Sequence, residues 1–234
     1  MDRTTGKRIL GILFFSVGIL ICTALTTAIT WVFLESDFYG FPRLAVDRFD
    51  GISCPYFMTR RETSTILVSV SNPTEKVIEP VLRVDISTPG VADSSQVQMK
   101  IQPGQTQKFE RPVGAENIDL GFFIFAKTYR YPTYPLPGAE ANCGILILDV
   151  PFLTGMQIFI IGLILGLTFT SLGLALWSSN LENAPKAINA AKALTIIALI
   201  GLLVSLQGIW IAGLFLIALT ILMTTAILRL GTQK

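Results

Sequence analysis

Apolar positions in this chain follow two different patterns. Four blocks, Ile9 to Leu34, Phe152 to Trp177, Ala193 to Leu206 and Ile209 to Leu228, are almost wholly apolar and hold one ionisable group between them, the thiol of Cys22. The first two are 26 residues long, and at about 1.5 Å rise per residue a helix of that length exceeds a hydrocarbon core of roughly 30 Å. The blocks therefore predict transmembrane helices. The third and fourth are 14 and 20 residues long and are separated only by Gln207 and Gly208. A tight hairpin of two spans fits them if the third helix begins near Ile188 and Lys192 snorkels; a re-entrant third segment is the alternative, and it would move the carboxyl terminus outside.

Between the first and second blocks the period drops to two. Ile66, Val68 and Val70, then Leu82, Val84 and Ile86, then Val97, Met99 and Ile101 alternate with polar neighbours, as half-buried strands do. Turn chemistry separates them at Ser71 to Thr74, Thr88 to Gly90 and Gln102 to Gly104. Leu120 to Ala126 and Gly144 to Val150 are near-continuous apolar runs, expected of strands covered on both faces. Adding strands near Ile52 to Met58 and Thr106 to Arg111 predicts about seven in roughly a hundred residues, which favours an immunoglobulin-like β-sandwich over an up-and-down barrel.

The fold class expected is thus an integral membrane α-helical protein with four transmembrane helices and one extracytoplasmic all-β domain, an immunoglobulin-like sandwich. Its divisions run 1–8 (cytoplasmic), 9–34 (first helix), 35–51 (juxtamembrane connector), 52–150 (β-sandwich), 152–177 (second helix), 178–188 (cytoplasmic loop), 189–206 (third helix), 209–228 (fourth helix) and 229–234 (cytoplasmic). In the connector, Phe38, Tyr39 and Phe41 suit a belt of rings at headgroup level.

Charge turns this layout into a topology. Residues Glu35 to Val150 hold 14 of the 16 acidic and 11 of the 18 basic side chains. The other basic residues are Arg3, Lys7 and Arg8 before the first block, Lys186 and Lys192 between the second and third, and Arg229 and Lys234 after the fourth. All three places then lie on one side, and the positive-inside rule makes that side the cytoplasm. An even number of crossings gives the two termini the same address. The chain is expected in the plasma (cytoplasmic) membrane, in contact with lipid, with the first helix as an uncleaved signal anchor. The apolar run continues through Trp31 and Phe33, past the 7 to 15 residues of a typical cleaved h-region. The net charge of +2 carries no basic patch interleaved with aromatics, so no nucleic-acid partner is expected.

Candidate chemistry is sparse. The sequence has no histidine, which removes Ser-His and Cys-His nucleophiles, the commonest zinc ligand and ordinary haem ligation. No cofactor or metal is expected, nor any catalytic residue. The blocks carry no acid or base at depth of the kind pumps and ion-coupled transporters need.

Three groups of residues stand out. Cys54 and Cys143 lie near the two ends of the β-region, on the side where disulfides persist. Gly155, Gly162, Gly166 and Gly173 fall within a wedge of about 40° at roughly 100° per residue, a helix-packing face whose occupant is a helix of this chain or of a partner. Tyr129, Arg130, Tyr131 and Tyr134 belong to an aromatic, proline-rich loop with the composition of an interaction hot spot. These features favour a non-enzymatic accessory or assembly subunit of a larger envelope complex, binding partners through its helices and its external domain. The alternative is a membrane-bound sensing protein that holds a small molecule, glycan or lipid, for which an apolar pocket at Phe122, Phe123 or Phe125 would speak. An enzyme on lipid-linked substrates is a third reading.

Overall fold

The computed structural model describes residues 3–49, 51–178 and 185–232. Among them, four long apolar helices and a β-sheet region fall into two units, Val32–Ile158, and Met1–Trp31 together with Phe159–Lys234. Most of the expected cytoplasmic loop, residues 179–184, lies outside the described residues, as do 1–2 and 233–234 of the expected cytoplasmic ends.

The helices are α1 (Arg3–Phe38), α2 (Gly155–Ser178), α3 (Pro185–Leu206) and α4 (Trp210–Thr232). All four are long and apolar enough to cross a membrane. On α1, Phe15, Ile19 and Cys22 are spaced to fall on one helical face, and all three are buried. Phe15 stacks edge-on against Trp177 of α2 at 5.7 Å, and the two join Ala191, Leu194, Ala198 and Ile227 in one cluster. Hydroxyls within these apolar helices bond back to the carbonyl four residues earlier, as Thr26 does to Cys22, Thr170 to Gly166 and Ser205 to Gly201, so no hydroxyl of the three is left bare in an apolar medium. Thr30 and Ser205 also share a 2.8 Å hydrogen bond between α1 and α3. Three residues join α3 to α4, with Gly208 at φ +74° making the turn that a side chain would resist.

In the other unit the strands are β1 (Asp47–Arg48), β2 (Ile52–Ser53), β3 (Phe57–Thr59), β4 (Ser64–Ser71), β5 (Val81–Ile86), β6 (Asp93–Gln98), β7 (Thr106–Val113), β8 (Phe123–Arg130) and β9 (Ala139–Leu148). One sheet runs β1-β9-β8-β5-β6, with β3 also paired to β9; the other runs β2-β4-β7. Both sheets turn apolar residues into a single core, Ile66, Val68 and Val70 from the smaller facing Leu82, Val84, Ile86, Ile124 and Ile145 from the larger. A disulfide joins Cys54 to Cys143 on β9, with Cα atoms 6.2 Å apart.

Several strands differ from the pattern read in the sequence. The strand expected at Ile52 to Met58 is two short pieces that join different sheets. The one expected at Val97 to Ile101 lies earlier, at Asp93–Gln98, and Ile101 makes only an isolated bridge to Ile78. Tyr129 and Arg130 belong to β8, so the expected interaction loop begins inside a strand.

The continuous apolarity of β8 and β9 has a structural cause. Ile124, Ala126, Cys143 and Ile145 point into the shared core, whereas Phe123 and Phe125 on the other face form a second cluster with Val32 and Phe41, against which Tyr39 packs. The ring of Tyr39 lies 4.5 Å from that of Phe125 and 4.6 Å from that of Phe41. Tyr39 and Phe41 therefore serve as core rather than as a headgroup belt; only Phe38 of the three is well exposed. Gly144 makes the overlay possible, because a Cβ there would sit 2.5 Å from Val32 Cγ1 and 2.8 Å from its carbonyl oxygen.

Candidate functional site

The last turn of α1, the connector after it and the outer face of β8 and β9 enclose an open polar pocket of about 390 Å³. Register explains its chemistry. Lys127 on β8 stands opposite Asn142 on β9, and Glu140 is two residues further along, so all three emerge on the face that also carries Phe125. Lys127 Nζ meets Glu140 Oε1 at 3.0 Å, with both side chains nearly buried. The other oxygen of Glu140 accepts the backbone N–H groups of Leu44 (3.0 Å) and Ala45 (3.3 Å), which pins the connector to the sheet. Burial pushes the Glu140 carboxyl up, but the Leu44, Lys127 and Ala45 hydrogen bonds and the lysine charge outweigh it and hold the group below its ordinary range.

Asp37 is satisfied from two sides. Arg48 Nη2 donates to both of its oxygens at 3.1 and 3.0 Å, and Asn142 Nδ2 donates at 2.8 Å while also reaching Ser36 Oγ at 3.0 Å. Arg43 also lines the pocket. Three cations thus face two carboxylates, and both carboxylates are matched. The pocket suits recognition of a polar, hydroxyl-bearing or weakly anionic group, and it offers no carboxylate poised as a general base.

The glycine face of α2 is filled by this chain. A Cβ at Gly173 would lie 2.2 Å from Phe15 N and 2.8 Å from Gly11 O, and one at Gly18 would lie 2.3 Å from Thr170 N. Gly166 looks onto Cys22 Sγ and Gly162 onto the side chain of Leu25. Glycines on both α1 and α2 thus let the two backbones approach, the small-residue packing that lipid-embedded helices use. Gly155 is different: its close neighbour is the carbonyl of Phe57 on β3, a strand and not a helix. Gly11 and Gly18, seven residues apart on α1, carry the same signal in the sequence although they are not among the expected packing residues.

The start of α2 is itself built from side chains. Thr154 Oγ1 accepts the Gln157 N–H at 3.2 Å while Gln157 Oε1 accepts the Thr154 N–H at 2.9 Å, a reciprocal capping box. Glu62 Oε2 takes the Gly155 N–H at 2.9 Å and the Thr59 N–H at 3.1 Å, placing negative charge at the positive end of the helix. Glu62 is thus a helix cap.

Of the expected interaction loop, Tyr134 is 93% exposed. Tyr129 and Tyr131 meet edge to face at 4.7 Å, and Arg130 lies over the Phe49 ring at 5.5 Å and donates to Pro137 O at 3.0 Å. Burial lowers the Arg130 pKa from its ordinary value. Phe123 and Phe125 are buried in the aromatic cluster, so an apolar ligand has no room there, whereas Phe122 is half exposed.

No family model matches the sequence, and neither does any curated protein. Among solved structures, the chain is similar to the CARDB domain of the PF1109 protein from Pyrococcus furiosus, at 11% identity over 46% of this chain and 98% of that one, with a TM-score of 0.34. It is also similar to a Paenibacillus cycloisomaltooligosaccharide glucanotransferase (13% identity, 45% of this chain and 14% of that one, TM-score 0.34). A third is red sea bream transglutaminase (10% identity, 47% and 17%, TM-score 0.34). The matched part is about a seventh of the length of the glucanotransferase. Similarity this slight carries nothing about activity.

Proposed function

We propose that this protein is a four-span integral membrane protein whose β-unit is an immunoglobulin-like sandwich on the extracytoplasmic side of the plasma membrane. It serves there as a non-enzymatic accessory or assembly subunit of a larger envelope complex. The observation that carries this reading is the segregation of charge. Acids and bases are concentrated in residues Glu35 to Val150, while the four apolar blocks have none and basic residues gather at the ends that face the cytoplasm. Helices with no charge at depth lack the means to move protons or ions by themselves.

Packing within the chain narrows how a partner is met. With the glycine face of α2 taken by α1, partner helices are left the outward apolar rows, where Leu20 on α1, Met156 on α2, Leu203 on α3 and Ile211, Phe215 and Leu222 on α4 are each more than 60% exposed. Affinity purification in mild detergent at native expression level, followed by mass spectrometry, tests the reading. A stoichiometric membrane partner is expected, and recovery of a lone monomer contradicts it.

The polar pocket favours a second reading, in which the β-unit senses a small hydroxyl-bearing or weakly anionic molecule. A partner that co-purifies equally well with Arg43→Ala and wild type counts for the assembly role; a partner lost only in that variant counts for sensing.

A further inference from the structure

One end of the β-unit displays apolar side chains where its fold has no need of them. Asp119 and Phe123 exchange backbone hydrogen bonds of 2.7 and 3.0 Å, closing a three-residue turn of Leu120, Gly121 and Phe122. Leu120 has φ +48° and Gly121 φ +85°. Leu120 is the one non-glycine residue with positive φ among the described residues, in a conformation that asparagine or glycine adopts at less cost. Its side chain is 57% exposed and that of Phe122 is 50% exposed. The turn is nevertheless fixed, since Asp119 Oδ1 accepts the Leu120 N–H at 2.8 Å, Phe122 O accepts the Ile147 N–H at 2.8 Å, and Arg60 Nη2 donates to Gly121 O at 2.8 Å.

The same end is where the chain enters α2. Phe123 and Phe57 both stand opposite Leu146, and Thr59 stands opposite Leu148, so Arg60 and the Leu120 turn flank the exit of β9. From there the chain passes Phe152, 91% exposed, and Leu153, 37% exposed, and reaches the first residue of α2 at Gly155. Glu62 fastens that residue to the end of β3. Three residues of chain span at most about 10 Å, so Phe152 cannot lie far from the level at which α2 starts.

We propose that Leu120, Phe122, Phe152 and Leu153 form an apolar lip that inserts into the headgroup and upper acyl region of the bilayer. The inference rests on the membrane-spanning reading of α2. Phenylalanine and leucine beside the start of a span favour this depth, where apolar surface leaves water while nearby charges stay hydrated. Arg60 and Arg61 are balanced there by Glu62, Asp119 and Asp149. The lip therefore needs no anionic lipid, and zwitterionic bilayers suffice.

Spin labels on single cysteines of the full chain, in a Cys22→Ser background and in phosphatidylcholine nanodiscs, test this; Cys54 and Cys143 are protected by their bridge. Collision rates with oxygen and with a water-soluble nickel chelate give the depth of each label. Labels at L120C and F122C are expected about 5 to 10 Å below the headgroup boundary, with L165C on α2 deeper and Y134C in water. If L165C reads as membrane-embedded while L120C and F122C read like Y134C, the lip is wrong and the spanning helix stands. If L165C itself reads as water-exposed, the lip falls with the spanning reading. Unchanged depths when anionic lipid is added support the zwitterionic preference, and insertion only with anionic lipid overturns it.

Discussion

Replacing glycines along the α1–α2 contact gives effects of opposite sign that the geometry orders in advance. A Cβ at Gly173 would stand 2.2 Å from the backbone nitrogen of Phe15, whereas ordinary contact begins at 3.4 Å, so α1 must retreat by more than an ångström. No side chain can rotate away to relieve this, because Phe15 N, Phe15 Cα and Gly11 O are all backbone. A radial gap of about 0.5–1 Å already forfeits a quarter to a half of each dispersion contact it opens. The ring pairs Phe14–Phe169 and Phe15–Trp177, at 5.5 and 5.7 Å, lie along the seam that would open. Overpacking of this kind costs about 2 kcal/mol, within the usual range of roughly 1–3. At Gly162 the neighbour is the flexible end of Leu25 at 3.3 Å, which can turn aside. Alanine there keeps its intrinsic helix advantage of up to about 1 kcal/mol, so Gly162→Ala should be neutral or stabilising. The two variants thus differ by about 2–3 kcal/mol, roughly 30- to 140-fold in the unfolding equilibrium. The assay is reversible unfolding of the full chain in mixed micelles with rising dodecyl sulfate, followed by the fluorescence of buried Trp177 in a Trp31→Phe, Trp210→Phe background. Gly18→Ala should behave like Gly173→Ala. Equal midpoints for Gly162→Ala and Gly173→Ala would falsify the interlocked helix pair.

Other outcomes follow from the β-unit. The bridge between Cys54 and Cys143 spans 89 residues, so the double serine variant should lose about 4–5 kcal/mol on the loop-entropy estimate; a fall of under about 1 kcal/mol in denaturant titration would show that the unfolded chain gains little from its release. Lys127→Met leaves Glu140 with only its two backbone donors and should cost about 3 kcal/mol, at the lower end for a broken buried pair, while adding Glu140→Gln should restore most of it. A double variant no better than the single one contradicts that account. Acid should weaken the same contact. Glu140 is held below its ordinary value of 4.5, so its stabilisation is whole above that pH and is lost as the pH falls through the folded-state value. Melting of the full chain in detergent between pH 7 and pH 3 should show a fall below about pH 4.5 that is shallower in Glu140→Gln; parallel curves would remove Glu140 as its source.

Periodicity made the helices and the long strands legible, because each repeats one residue class at the spacing of its own backbone. Ile66, Val68 and Val70 sit in β4 and Leu82, Val84 and Ile86 in β5, with their side chains in the core. What covers the outer face of β8 and β9 was not legible, because continuous apolarity says that both faces are buried and not by what. Here the cover is Val32, Tyr39 and Phe41, residues that local composition assigns to a span and its interfacial belt. The pocket was equally hidden. Lys127, Glu140 and Asp37 are ordinary charges in the sequence, and only the register of β8 on β9 and the overlay of α1 bring them together. Glu62 shows the same limit, since capping a helix 93 residues away leaves no mark in its neighbours. The glycine wedge was legible as a close contact. Its occupant required Gly11 and Gly18, whose spacing on α1 matches the spacing of Gly166 to Gly173 on α2.

Both termini are proposed to face the cytoplasm and the β-unit to face outward. Single cysteines at Thr5, Tyr134 and Thr232, in a Cys22→Ser background, can be challenged with a membrane-impermeant maleimide in intact and in permeabilised cells. Labelling is expected at position 134 in intact cells, and at positions 5 and 232 only after permeabilisation. Protection of position 134 or external labelling at position 232 would contradict it, the second by making the number of crossings odd.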